Sequence, residues 1–276
     1  MKLPLDGIDI AQVAKALAKV HESAPHTGRR TLAGIARVFD YARVKGLIDA
    51  RRPNPATFRG GFEHLWGPPE PTTHLRAVGY ERVPELYGQL CDLEDMTAAW
   101  CLRLLILTGV RTSNALYAFD EIDLKAGTWT MQPEDMKKNE KMKDRPKFVV
   151  PLVDEAVAIV TTMRERWPAG ELIFPSDRHF GKQHPRALAY VLQYVLGVEA
   201  SVHGFRSSLR DFLGDRTNVE REVAEMCLAH FAKGVEAAYR RSTALEKRRI
   251  ALSLWARHVV GEGEADTVVP FRQASA

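Results

Sequence analysis

The stretch from Ser201 to Tyr239 contains side chains that could act together on a phosphate group. His203 and Arg206 are three residues apart, so on a helix they would project from one face and could meet the same anion. His230 and Tyr239 follow, nine positions apart, which leaves room for a helix end and a turn that bring the phenol back toward that anion. The types and spacing of these residues favour phosphate chemistry.

Arg111 supplies a second guanidinium group, just after an apolar run from Trp100 to Leu107. Cleavage of a phosphodiester needs a nucleophile, neutralisation of the two non-bridging oxygens and a proton for the leaving oxygen. Two arginines can hold these oxygens with paired N–H donors, which an ammonium group does less well. The histidines can donate or transfer a proton, and no Ser, Cys or Asp occupies a place comparable to that of Tyr239.

The order Arg, His, Arg, His, Tyr at these spacings resembles the catalytic set of the tyrosine recombinases, the phage-integrase family. The resemblance covers roughly residues 75 to 260, and short phrases such as Ile122-Asp123-Leu124 and Val150-Pro151-Leu152 are similar to those of prophage and genomic-island integrases. It implies that Tyr239 is the nucleophile, forming a 3′-phosphotyrosine and freeing a 5′-hydroxyl. It also implies a phosphate site made of Arg111, His203, Arg206 and His230.

The resemblance further implies a lysine that protonates the leaving oxygen from the turn between the second and third strands. Counting forward from Ile122-Asp123 points to Lys137, whereas counting backward from Pro151 points to Lys143. Both stay candidates, with a slight preference for Lys137. The family often has Glu three residues after the first arginine, where this chain has Asn114, and a neutral amide would orient the guanidinium less strongly.

The composition is that of a globular protein with a modest positive charge. The chain has 276 residues, 45% of them hydrophobic and 27% charged, with a formal net charge of +4. It has neither an apolar run long enough to cross a bilayer nor a signal-peptide pattern, so we expect a cytoplasmic protein without membrane contact. The three cysteines form no CxxC pair and are expected to be buried free thiols. We expect no metal and no cofactor.

The first 60 residues predict a small helical domain with a basic side. Apolar spacing indicates a helix over residues 9 to 23, capped by Asp9, and another that follows Thr27 and ends at Gly46. The cations on its polar side are either a solvated helix face or contacts to the DNA backbone, and the resemblance favours DNA. The DNA-contact candidates are Arg29, Arg30, Arg37, Arg43 and Lys45.

The sequence predicts a mainly α fold with a small antiparallel β-sheet. Proline and glycine concentrate between residues 53 and 72, which indicates an interdomain linker. The resemblance implies a helical, SAM-like core-binding domain before a tyrosine-recombinase catalytic domain, and the chain before the linker is too short for a further arm-binding domain. The expected divisions are 1–60 for the core-binding domain, 61–74 for the linker, 75–260 for the catalytic domain and 261–276 for a flexible tail.

Within the catalytic part, helices are expected around Val83–Leu90 and Met96–Leu107, before three short extended runs that predict the sheet. The runs are 121–124, 128–132 and 147–152, and further helices are expected over 154–167, 185–196, 204–214, 219–230 and 244–259. Thr243 and Glu246 would form a capping box for the last helix, and Lys247, Arg248 and Arg249 would be exposed.

The resemblance implies a site-specific recombinase that integrates or excises a mobile element. It would act on double-stranded DNA as a homotetramer, be a monomer free in solution, and dock the segment from Ser242 to Val260 onto a neighbouring protomer. Three alternatives stay open. They are relaxation of supercoils by the type IB topoisomerase reaction, a DNA-binding or architectural protein with a vestigial site, and a helical enzyme acting on a small phosphate compound.

Overall fold

The computed structural model describes residues 4–68, 77–116, 121–132, 147–168, 172–230 and 244–261. The chain divides into two compact units, Met1–Thr73 and His74–Ala276. Within the described residues, no helix combines the length and the hydrophobicity that crossing a membrane requires. Lys137, Lys143, Tyr239 and the tail from residue 262 lie outside the described ranges.

The first unit is built on two helices, α1 (Ile10–Ser23) and α2 (Pro25–Val44), followed by a turn at Phe58–Phe62 and the short α3 (Glu63–Trp66). Asp9 forms a capping box with Gln12 at the start of α1, as its sequence indicates. A Cβ atom on Gly28 would lie 2.8 Å from the Cα of His21, so the glycine lets α2 approach α1 closely.

Phe62 is fully buried in the core of this helical unit, together with Val13, Leu17 and Leu32. The unit therefore includes residues whose proline- and glycine-rich surroundings had indicated a linker. Trp66 stacks on the His21 ring at 3.9 Å between ring centroids and ties α3 to α1.

The second unit begins with α4 (Val83–Cys91), α5 (Thr97–Thr108) and α6 (Thr112–Leu116). Strands β1 (Ile122–Asp123), β2 (Thr128–Met131) and β3 (Phe148–Pro151) form an antiparallel sheet in the order β1-β2-β3. The helices that follow are α7 (Asp154–Arg166), α8 (Ala187–Tyr190) with a wider turn over Val191–Val195, α9 (Phe205–Arg216), α10 (Arg221–Cys227) and α11 (Leu245–Val260). The predicted mainly α fold with a small antiparallel sheet is confirmed.

Helix α5 lies in the centre of this unit, because ten of its twelve residues are buried. The free thiols of Cys101 and Cys227 are buried as expected, and that of Cys91 is partly buried. Burial raises the pKa of the Cys227 thiol to about 12, so it stays protonated and unreactive at neutral pH.

Helix α11 corrects one expectation, the exposure of Arg248. Ala244 occupies the N-cap of this helix, and Thr243 of the predicted capping box lies outside the described residues. Arg248 is 1% exposed, with its guanidinium 4.9 Å from the centroid of the Phe148 ring on β3, so the prediction that it is exposed is wrong.

The apolar face of α11 packs within its own unit. Trp255 is fully buried and donates its indole N–H to the Ile106 carbonyl at 2.7 Å, within the same chain. The apolar face of Leu245–Val260 that contains Trp255 is therefore covered by its own unit, and the docking of the segment from Ser242 to Val260 onto a neighbour stays a prediction.

Candidate phosphate-binding site

Arg206 is the centre of the site, and two elements hold its side chain. It lies in the first turn of α9, after a short turn whose N-cap, Ser201, accepts a hydrogen bond from the backbone N–H of Gly204. The guanidinium is only 4% exposed and donates to the carbonyls of Gly109 and Leu228. Arg206 thereby links the end of α5 to the end of α10.

Gly109 ends α5 in a conformation that a larger residue could not adopt here. Its φ of +63° lies in the left-handed region, and an added Cβ would lie 2.6 Å from a methyl carbon of Leu209. The chain therefore turns at a fixed point, and Arg111 follows two residues later. Because Gly109 also accepts a hydrogen bond from Arg206, the two predicted arginines are positioned by one turn.

Arg111 and Arg206 line the same small cleft, as the sequence predicts for two residues that hold one phosphate. Asn114, Met131, Phe148 and residues 227–229 also line it. Burial, followed by the charge of Arg111, lowers the pKa of Arg206 to about 10, so the group remains charged at neutral pH. Burial also lowers the pKa of Arg111. A larger cavity of about 500 Å³ beside Tyr87, Trp100 and Arg103 contains none of the predicted site residues.

His203 lies in the turn Val202–Gly204 that precedes α9, rather than on one helix with Arg206. The expected shared helix face is therefore replaced by a turn and the first helical residues. Burial, and then the positive charges of Arg206, Arg111 and His230, lower the pKa of His203. Its ring is consequently neutral at pH 7, in an environment that already has two permanent cations.

His230 is positioned by the end of α10. The backbone N–H of His230 donates to the Glu225 carbonyl at 2.9 Å, and that of Ala229 donates to the Met226 carbonyl at 3.1 Å. This pair of bonds is a Schellman motif, which needs a left-handed residue, and here Ala229 adopts it with a φ of 53°. Nε2 of His230 then lies 3.4 Å from a terminal guanidinium nitrogen of Arg206.

Four of the seven predicted catalytic residues therefore belong to one cluster: Arg111, His203, Arg206 and His230. Tyr239, Lys137 and Lys143 lie outside the described residues, and their roles stay predictions. Among the described residues, no group of three or more His, Cys, Asp or Glu side chains could hold a metal ion.

Two functional candidates had not been identified from the sequence, Arg210 and Glu225. The Glu225 carboxylate lies 2.6 Å from Arg210 Nε and 2.6 Å from His230 Nδ1. The sequence feature that could have identified Arg210 is its spacing from Arg206. The two residues are four positions apart on α9, and such residues share a helix face.

The predicted DNA-contact residues of α2 are in different environments. Arg29 donates to the carbonyls of Trp66, Gly67 and Pro68 at 3.0–3.2 Å, and so caps the end of α3. Arg43 is paired with Asp40 at 2.7 Å. Arg30, Arg37 and Lys45 are exposed.

Comparisons with known proteins identify relatives across both units. Over 249 residues the chain is 30% identical to the protein IntB of Escherichia coli K12, and over 241 residues it is 31% identical to the prophage integrase IntA of the same strain. These alignments cover 85% and 84% of this chain but 60% and 54% of the relatives, so the chain spans little more than half of their length. No family model matches the sequence.

Solved structures give the same result at the level of the fold. A lambda integrase dimer bound to a COC′ core site is similar with a TM-score of 0.56 at 16% identity, over 90% of this chain and 82% of that one. A lambda integrase tetramer bound to a Holliday junction gives 0.55 at 15% identity, over 88% and 67% of the two chains. The chain is therefore similar in sequence to a prophage integrase and similar in fold to lambda integrase.

Proposed function

We propose that this protein is a site-specific DNA recombinase that cleaves and rejoins strands through a covalent 3′-phosphotyrosine at Tyr239. The observation that carries the proposal is the cleft shared by Arg111 and Arg206, with His203 and His230 beside it. Such a cluster suits the pentacoordinate transition state of a phosphodiester transesterification. That state has more negative charge on its non-bridging oxygens than the substrate, and fixed donors stabilise this charge.

Each residue of the cluster has a distinct task in this proposal. Arg111 and Arg206 neutralise the non-bridging oxygens, and His230 donates a hydrogen bond to the same phosphate. His203, neutral at pH 7, can accept the phenol proton of Tyr239 as the oxygen attacks phosphorus. Lys137 or Lys143 would protonate the leaving 5′ oxygen.

The reaction needs no external energy source or cofactor. One P–O ester bond forms to the tyrosine while another breaks at the 5′ oxygen, so the number of phosphoester bonds is unchanged. A 5′-hydroxyl from the partner strand then attacks the phosphotyrosine and reverses the step. Two such exchanges, through a four-way junction, recombine two sites.

The proposed partner is duplex DNA, bound by four protomers during strand exchange. The lambda integrase structures with a core site and with a Holliday junction support this proposal by analogy of fold. The exposed Arg30, Arg37 and Lys45 of the first unit would contact the phosphate backbone. Integration or excision of a mobile element is the biological outcome that the integrase relatives suggest.

Covalent capture from a pool of DNA sequences tests the proposal and finds the target site in the same experiment. The protein is incubated with randomised duplexes, each carrying a nick that lets the short fragment with the free 5′-hydroxyl diffuse away after cleavage. The adducts are recovered under denaturing conditions, and their DNA is sequenced. We expect adducts attached through a 3′-phosphate to Tyr239, identified by mass spectrometry and abolished in Tyr239→Phe.

Tyr194→Phe is the matched control, because it removes a phenolic hydroxyl from a side chain that is 77% exposed. It should form adducts at the wild-type rate. Adducts that persist in Tyr239→Phe, or DNA that is bound without any adduct, would contradict the proposed reaction.

A further inference from the structure

The Glu225 carboxylate joins two side chains that approach it from different elements. One oxygen lies 2.6 Å from Nδ1 of His230, and the other lies 2.6 Å from Nε of Arg210 on α9. Burial alone would raise the pKa of Glu225, but hydrogen bonds from Arg210 and His230 outweigh it, and the pKa lies below its ordinary value. The carboxylate is therefore ionised at neutral pH.

The backbone fixes this arrangement independently of the side chains. Glu225 accepts the backbone N–H of His230 at 2.9 Å, so the main chain and the side chain of one residue both contact the histidine. On α9, Arg206 and Arg210 are four residues apart, and both reach the end of α10, Arg206 through the Leu228 carbonyl and Arg210 through Glu225. The imidazole thus lies between a carboxylate at Nδ1 and a guanidinium near Nε2.

We propose that Glu225 and Arg210 are positioning residues that make His230 a hydrogen-bond donor to the scissile phosphate. The proposal rests on the proposed function for its phosphate, but its geometry is complete in the free protein. Glu225 accepts from Nδ1–H, which leaves Nε2 facing Arg206 and the cleft. Arg210 holds the carboxylate in the orientation that this bond requires.

The proton count explains why a carboxylate is needed at this place. When Nδ1–H donates to Glu225, Nε2 of a neutral ring has no proton and can only accept. To donate to a phosphate oxygen through Nε2, the ring must have both protons, and Glu225 is then placed to accept the Nδ1–H while the Nε2–H faces the cleft. The described side chains that interact with His230 include His203, Arg206 and Glu225, and Glu225 supplies the negative charge among these three.

The ring protons can be measured directly, without any DNA. In the full chain labelled with ¹⁵N-histidine, the His230 ring is assigned from the signal missing in His230→Gln. We expect neutral His230 to have its proton on Nδ1 in the wild type, and to keep it there in Glu225→Gln, whose amide oxygen still accepts. In Glu225→Ala the two tautomers should be mixed. A wild-type ring protonated on Nε2 alone would overturn the proposal.

Adduct formation with the captured DNA then tests the role of the charge. Glu225→Gln keeps an acceptor for Nδ1–H but loses the charge that strengthens this hydrogen bond, so we expect adduct formation to fall about tenfold. Arg210→Gln should show a smaller loss, because the carboxylate keeps its charge but loses the donor that orients it. Glu222→Gln, which removes a carboxylate from the same helix, is the control and should match the wild type.

The outcomes separate the positioning role from the proposed reaction. Adduct formation at the wild-type rate in Glu225→Gln would overturn the positioning role of the carboxylate. If the wild-type protein forms no adduct under any condition, the proposed recombinase reaction fails, while the ¹⁵N spectra still decide whether Glu225 and Arg210 position the ring.

Discussion

At the scale of single residues, Arg206 has two tasks that compete for the same donors. Two of its N–H groups bind the carbonyls of Gly109 and Leu228, and its side chain also lines the cleft that it shares with Arg111. The sequence predicts the phosphate role from residue type and spacing. It could not predict the carbonyl bonds, because they join residues that are 97 and 22 positions distant in the chain.

The first prediction is that Arg206→Ala destabilises the protein as well as abolishing adduct formation. Two buried carbonyls lose their donor, which should cost about 3 kcal/mol in the free energy of unfolding, measured with urea. Arg210→Ala, which removes a half-exposed guanidinium from the same helix face, should cost less than about 1 kcal/mol. Equal losses in the two variants would show that the carbonyl bonds contribute little.

The second prediction concerns the pH dependence of stability at His203. Its folded pKa is lower than the ordinary value of about 6.5, so below that pH the unfolded chain binds a proton that the folded chain does not. The contribution of His203 to stability is therefore complete above pH 6.5 and is lost as the pH falls below it. His203→Gln, which cannot titrate, should lose less stability than wild type between pH 7.5 and pH 5.5 in urea titrations. A parallel loss in both proteins would contradict the shift.

At the scale of elements, hydrophobic periodicity predicts most helices and the sheet, but not the way in which helices end. The stripe of Val83, Leu86, Tyr87 and Leu90 is buried on α4 as expected, since local spacing alone determines that face. By contrast, the basic run Lys247 to Arg249 indicates a solvated face, whereas Arg248 is buried against Phe148 on β3. Such a contact depends on tertiary packing, which a local pattern does not contain.

The C-terminal end of α10 is a second feature that local sequence patterns do not predict. The sequence places an alanine where the Schellman motif favours glycine, and Ala229 adopts a φ of 53°. A left-handed conformation costs an L-residue with a side chain about 1 kcal/mol. The strain is located one residue before His230, at the edge of the cleft.

The third prediction is that Ala229→Gly stabilises the protein by about 0.5–1 kcal/mol, because glycine adopts this conformation without the penalty. The urea midpoint should rise, and adduct formation should be unchanged if the backbone keeps its course. Ala224→Gly is the matched control, because the same substitution inside α10 should lower stability by about 1 kcal/mol. A lower midpoint in Ala229→Gly would mean that the alanine methyl group stabilises the end of α10 by more than its backbone strain costs.

At the scale of the whole molecule, a net charge of +4 says little about DNA binding until the cations are sorted by what they already contact. Arg29 binds three carbonyls at the end of α3, and Arg43 is paired with Asp40, so these two have structural tasks within the first unit. Arg30 and Arg37 are exposed on α2, seven residues or about two turns apart, and therefore lie on one face. A phosphate backbone following that face could contact both.

The fourth prediction is that Arg30 and Arg37 determine part of the salt dependence of DNA binding. Each phosphate contact contributes about 0.9 to the slope of log K against log salt, so Arg30→Ala with Arg37→Ala should lower that slope by about 2, measured by fluorescence anisotropy on a labelled duplex. Lys15→Ala with Lys19→Ala removes the same charge from α1 and is the matched control. If both double variants lower the slope equally, binding responds to net charge and not to this face of α2. If Arg30 and Arg37 bind phosphates, only their double variant changes the slope. Arg29→Ala, by contrast, should lower the urea midpoint, because the end of α3 loses its cap.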